Sequence, residues 1–260
     1  MLDEIVKCSN LEIARVRENF ERDRDPTDTN IVEMKAAIGL LLMAGVLKSS
    51  HCNTDELWGK HGPDIFRCTM SQRRFLFLMR CIRFDDKMDR VERRKFDKLA
   101  PIRLIFEQFN ANCQKVFTVS EYTTVDEQLW AFRGRCGFRQ YMKSKPARYG
   151  IKVNTLADSR SFYVKNMEIY CGQQPQGPFH VSNSPPDIVK RLVEPIKNTG
   201  RNVTFDNWFT GILLVGYLLI ECKLTSVGTL RKNKTEIPPS FVQTKKKKSI
   251  QVSLFSAKVG

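Results

Sequence analysis

The chain has 260 residues, 42% hydrophobic and 27% charged, enough apolar content for one large domain or two smaller ones with real cores, which excludes a disordered chain. Its formal net charge of +15 and pI near 9.6 point to a polyanionic partner and argue against an acidic surface protein. Residues 1–120 hold 21 basic against 18 acidic side chains and residues 121–260 hold 22 against 10, so the anion-facing surface belongs to the second half.

Residues 1–118 carry apolar side chains at helical spacing and predict an all-helical domain. Ile5, Val6, Ile13, Val16 and Phe20 line the first helix. A second begins near Asn30, where Asn30 with Glu33 reads as a capping box ahead of Met34, Ile38, Leu41 and Leu42. A third starts at about Ser71 and mixes Phe75 and Leu78 with Arg73, Arg74, Arg80 and Arg83. After a charged linker at 85–95, a last helix at about 99–117 presents Ile102, Ile105, Phe106, Phe109, Cys113 and Val116.

From Glu121 the pattern turns to strands. Alternating β-branched and aromatic residues at 123–132, 149–156 and 162–170 predict an antiparallel meander. A Gly/Pro/Gln-rich loop at 172–178 leads to a helix after Ser184-Pro185-Pro186 whose apolar face is Ile188, Val189, Leu192, Val193 and Ile196. A strand at 202–205, a helix at about 208–221, a strand at 223–230 and a strand-like stretch at 250–258 complete the chain. The order strand, strand, strand, helix, strand, helix, strand matches the opening of a ribonuclease H-like fold. The expected class is therefore α+β, with an all-helical N-terminal domain (1–118) and a ribonuclease H-like mixed-sheet domain (119–260) that is C-terminally incomplete. In that topology the first and fourth strands are neighbours, which brings Asp126 and Asp206 together.

The apolar runs at 36–47 and 211–220 are short of the roughly 20 residues a bilayer span needs and read as buried core helices, so no membrane partner is expected. The acidic opening Met1-Leu2-Asp3-Glu4 is unlike a signal peptide. Eight cysteines without a Cys-x-x-Cys pair signal neither a zinc ribbon nor a disulfide framework, and the simplest reading is reduced thiols. His51, Cys52, His61 and Cys68 come nearest to a metal cluster, but their spacing is irregular and no zinc is expected.

Phosphodiester cleavage suits paired carboxylates, because Mg²⁺ takes hard oxygen ligands and two ions can serve the attacking and leaving oxygens. Asp126 and Asp206 are candidates for that pair, although an aspartate at the end of a strand also serves as a turn or helix N-cap residue. Between them, residues 133–148 hold Arg133, Arg135, Arg139, Lys143, Lys145 and Arg148 without an acid, interleaved with Phe138 and Tyr141. Cations neutralise phosphates and aromatics stack on exposed bases, so these residues and Lys152 are candidate DNA contacts; the alternative is a solvated charged turn. The lysines at 245–248 read as a nuclear localisation signal, a phosphate contact or a solvated loop.

Several segments carry a resemblance to a family. They are Val125-Asp126-Glu127-Gln128-Leu129, Phe132-Arg133-Gly134-Arg135-Cys136, Phe138-Arg139-Gln140-Tyr141-Met142 with Lys145-Pro146, Tyr149-Gly150-Ile151-Lys152, Asp206-Asn207-Trp208-Phe209-Thr210 and Val227-Gly228-Thr229-Leu230-Arg231. The sequence resembles the piggyBac-type DNA transposases and the cellular proteins domesticated from them, with weaker similarity over the first half. That resemblance implies a helical dimerisation and DNA-binding domain, a nuclear protein, and a catalytic domain that cuts and pastes transposon ends at TTAA targets with divalent metal. Asp126 and Asp206 then correspond to the first and second catalytic aspartates and to ligands of Mg²⁺. The family's third aspartate, well downstream of the second, has no counterpart here. Glu221 and Glu236 are the nearest later acids, and neither is assigned the role. Two readings stand: a transposase or part of one, and a domesticated remnant that binds DNA without cutting. Either way, the isolated chain is expected to bind DNA without cleaving it.

Overall fold

Residues 1–22 and 26–231 are described by the structure, a computed structural model. The first half is helical: α1 (Leu2–Val16), α2 (Ile31–Val46), α3 (Thr54–Trp58), α4 (Asp64–Thr69), α5 (Gln72–Cys81), α6 (Arg90–Arg94) and α7 (Arg103–Val116). Helices α1, α2, α4 and α5 enclose a core of Ile13, Ala37, Leu40, Phe66, Phe75 and Leu78. At the start of α2, Asn30 Oδ1 accepts from the N–H groups of Val32 and Glu33. The Glu33 carboxylate turns instead to Arg74 on α5, at 2.7 Å from both Nε and Nη2, so the expected capping box is only half formed. An arginine that pairs in two places holds the carboxylate more firmly than a return bond to one N–H would.

Three sequence expectations need correction in this half. The 85–95 linker contains helix α6, anchored because Arg90 and Arg93 both donate to buried Asp85. The stretch at 51–68, to which no helix is assigned from the sequence, holds α3 and α4. Helix α2 is not buried all round: Leu42 is 68% and Val46 75% exposed. Its sides are uniformly apolar, so periodicity could not tell the packed face from the open one.

The second half forms one mixed sheet from β1 (Tyr122–Ala131), β2 (Gln140–Tyr141), β3 (Tyr149–Asp158), β4 (Val164–Ile169), β5 (Asn202–Phe205) and β6 (Thr225–Gly228). Strand β3 lies between β1 and the pair β2 and β4, all antiparallel to it. On the other side of β1, β5 runs parallel to β1 and β6 parallel to β5. This is the ribonuclease H-like order that the sequence predicts, with β2 as an added two-residue strand.

Both sheet faces are covered in part. Helix α8 (Pro185–Leu192) and helix α9 (Ile212–Ile220) bury Val125, Leu156, Val203 and Phe205 on one face. On the other, Val153, Met167 and Ile169 pack with Leu99 and with Ile102, Phe106 and Cys113 from α7 and its approach. Helix α9 is again a corrected expectation: only Leu214 and Leu218 are buried, while Leu213 is 87% exposed. Glu236, the lysines at 245–248 and the strand expected at 250–258 lie outside the described residues.

Candidate active site and nucleic-acid interface

Strand alternation sends Val125 into the core under α8 and α9 and Asp126 to the opposite face, which α7 covers in part and which leaves Asp126 exposed. The parallel β1–β5 register pairs Thr124 with Thr204 and Val125 with Phe205. Asp126 follows Val125 on β1 and Asp206 follows Phe205 just past the end of β5, both exposed. Extending that register by one residue sets the two backbones next to each other where β5 ends.

The backbone around each aspartate is fixed. Asp126 Oδ1 accepts from the N–H of Glu127 at 2.8 Å, and its carbonyl accepts from Thr155 Oγ1 at 3.2 Å. Asp206 Oδ1 accepts from the N–H groups of Trp208 and Phe209, at 2.9 and 3.3 Å, closing an Asx-type turn. The Asp206 carbonyl accepts from both the N–H and the hydroxyl of Thr210. Thus the turn reading and the ligand reading are compatible, since the turn occupies Oδ1 only. Helix α9 starts at Ile212 with Gly211 as its N-cap, later than the predicted start near Trp208. Gly228 on β6 belongs to the same construction, because a Cβ there would meet Thr210 Oγ1 at 2.5 Å and the Phe205 ring at 2.9 Å. Only glycine lets β6 lie this close to the turn.

The seven candidate DNA-contacting cations divide into two groups. Arg133, Arg135, Arg139, Lys143 and Arg148 are exposed on the connection from β1 through β2 to β3. Lys145 and Lys152 turn inward. Lys145 Nζ lies 3.5 Å from the Glu127 carboxylate and donates to the Glu127 carbonyl at 3.1 Å. Lys152 Nζ lies 4.4 Å from the Trp208 ring centroid and 5.4 Å from that of Tyr170. Burial holds the Lys152 amine below its usual pKa; Glu127 opposes that shift, Lys145 adds to it, and Asp206 and Asp126 oppose it. Lys152 therefore lies within the field of the aspartate pair and braces the turn that carries Asp206.

Glu127 is a participant that the sequence reading left unassigned. It falls in the inward phase of β1, between Val125 and Leu129, where a carboxylate needs a cation. Its register partner Asn154 is fully buried, with both amide atoms unpaired among the described residues. Phe138 moves in the other direction: expected to face bases, it packs against the core under α7.

Two adjacent carboxylates, each with one oxygen engaged by the backbone, offer hard oxygen ligands suited to a divalent cation. Among the described residues no group of three or more His, Cys, Asp or Glu is placed to hold a metal ion. Glu221 ends α9 as its C-cap.

A family model described as "Transposase IS4" matches residues 1–255. The human PiggyBac transposable element-derived protein 2 is 24% identical over 216 residues, 80% of this chain and 35% of its own length. The human PiggyBac transposable element-derived protein 3 is 28% identical over 156 residues, 58% of this chain and 26% of its own. A piggyBac transposase solved by cryo-EM as a synaptic complex with hairpin DNA superposes with a TM-score of 0.86 and 40% identity, covering 95% of this chain and 51% of that one. The chain thus spans about half of the solved transposase and about a third or less of these human relatives.

Proposed function

Because this chain belongs to the piggyBac-type transposase family, we propose that it is a DNA-binding polypeptide built around two ligands of a metal-dependent strand-cutting site. Asp126 and Asp206 hold Mg²⁺, and Arg133, Arg135, Arg139, Lys143 and Arg148 bind the phosphates on either side of the scissile bond. Lys145 and Lys152 act closer in, keeping Glu127 and the Asp206 turn in position. By family resemblance the DNA is a transposon end and a TTAA-type target, engaged by a homodimer in the nucleus.

The carrying observation is the β1–β5 register, whose last pair is Val125 with Phe205, directly before the two aspartates. Magnesium bound by them would supply activation of an attacking oxygen and neutralisation of a leaving one. Among the described residues no third acid is placed with the pair to hold a metal, which favours the reading in which this polypeptide alone grips DNA and leaves it uncut.

Purified chain incubated with supercoiled plasmid in Mg²⁺ is expected to retard the plasmid in a salt-dependent way and leave it supercoiled. Nicking by the native chain that disappears in Asp126→Asn would show a complete active site and overturn this reading.

A further inference from the structure

The sheet face that carries Asp126, covered by α7 over part of its area, also carries a line of exposed aromatic rings. Asp126, Gln128 and Trp130 alternate along β1 and share that face. Their register partners on β3 are Thr155, Val153 and Ile151, which puts Tyr149, two residues before Ile151, on the same face. Tyr149 in turn pairs with Tyr141 of β2. Trp130 is 42% exposed, Tyr141 55% and Tyr149 50%. The two tyrosine rings lie 4.9 Å apart, and the Arg139 guanidinium sits 5.4 Å from the Tyr149 centroid, held there by the carbonyls of Arg133 and Gly134.

Cross-strand pairing accounts for the contact between the two tyrosines. It does not account for three half-exposed rings on one face, capped by a fixed guanidinium, inside a segment with six cations and no acid. A duplex held only by its phosphates needs the cations alone. Rings and guanidinium planes at this exposure suit the faces of unpaired bases, for which stacking adds to charge.

We propose that Trp130, Tyr141 and Tyr149, with Arg139, form a stacking platform for unpaired bases of a DNA strand that runs past the Asp126–Asp206 pair. Trp130 is four residues from Asp126 along β1, about 13 Å at the rise of a strand. Tyr149 lies across from Phe132, six residues and about 20 Å away. At about 3.4 Å per base step, the platform meets bases roughly four to six nucleotides from the phosphate addressed by the aspartates. The inference rests on the DNA-binding reading above and adds a preference for single-stranded or distorted DNA over intact duplex.

The test measures binding of a fluorescent single-stranded oligodeoxynucleotide, the same strand with a run of abasic sites, and the matching duplex, by anisotropy across a salt series. The native chain is expected to lose about tenfold in affinity for each stacked base made abasic, and Trp130 fluorescence should be quenched by the intact strand but not by the abasic one. A Tyr141→Thr/Tyr149→Thr variant, checked for an unchanged melting temperature, is expected to lose the discrimination while keeping its salt slope. Equal affinity for intact and abasic strands would overturn the platform and leave the DNA-binding reading standing. Absence of salt-dependent binding to any of the three DNAs would overturn both.

Discussion

Replacing Arg133, Arg135, Arg139, Lys143 and Arg148 together by glutamine is expected to cut duplex DNA affinity by as much as about four decades at 0.1 M salt, with a flattened salt dependence. Each phosphate contact contributes about 0.9 to the slope of log affinity against log salt, so removing these contacts should lower it by about 4 to 5. All of these side chains are exposed, so stability should change by about 0.5 kcal/mol or less per site. Lys145→Gln and Lys152→Gln should each move the slope by about one unit or less, because their charges face Glu127 and the Asp206 turn before they face solvent. Anisotropy titrations from 50 to 300 mM salt decide this. An unchanged slope in the multiple variant would locate the DNA-binding surface elsewhere.

The largest effect on stability is expected at Asp97, at the junction of α7 and the sheet. Its carboxylate is 2% exposed and accepts from Arg103 Nε and Nη2 at 2.8 and 2.7 Å, from the N–H of Leu99 at 2.9 Å and from Gln174 Nε2 at 2.9 Å. Gln174 follows β4 and Arg103 begins α7, so this carboxylate ties the helix to the sheet on which the candidate site is built. Asp97→Ala would leave the Arg103 guanidinium without its main partner in a largely buried place, at a cost of about 3–5 kcal/mol. For a chain of this size that corresponds to a melting temperature lower by roughly 10 °C. Burial alone would raise the Asp97 pKa, but its bonds to Arg103, Leu99 and Gln174 outweigh burial and hold it below the ordinary aspartate value. The group then stabilises the fold fully above its unfolded pKa of about 4, and that contribution is lost as pH falls through the lower folded value. Urea denaturation at neutral and acidic pH should show the native chain and the variant converging in acid. A variant as stable as the native chain at pH 7 would remove Asp97 from this role.

The sheet was more legible than the surfaces of the helices. Asn202-Val203-Thr204-Phe205, bounded by Gly200 and by the Asp206 turn, reads as a strand and is one to the residue. The meander and the parallel return make β1 and β5 neighbours, as expected, because the element order allows few other topologies. Helices α2 and α9 were found, but their runs are apolar all round, and exposure of Leu42, Val46 and Leu213 cannot be read from a pattern without a polar side. Strand β2 has two residues and no period to detect. At the site, charge alone could not separate Lys145 and Lys152 from the five exposed cations, since the division depends on which side of β1 Glu127 faces and on where Trp208 folds back. Phe138 and Tyr141 part company for the same reason: both are aromatic residues in a basic segment, and only packing under α7, which takes Phe138 and leaves Tyr141 exposed, tells them apart.

Binding of Mn²⁺, used as a paramagnetic stand-in for Mg²⁺, followed by broadening of backbone amide resonances, bears most directly on the pairing of Asp126 with Asp206. Broadening is expected to centre on Asp126, Glu127, Asp206 and Asn207 together, at one metal concentration, and to vanish from both strands in Asp126→Asn. Broadening confined to one strand, centred on another part of the chain, or unaltered in Asp126→Asn would contradict a shared metal site.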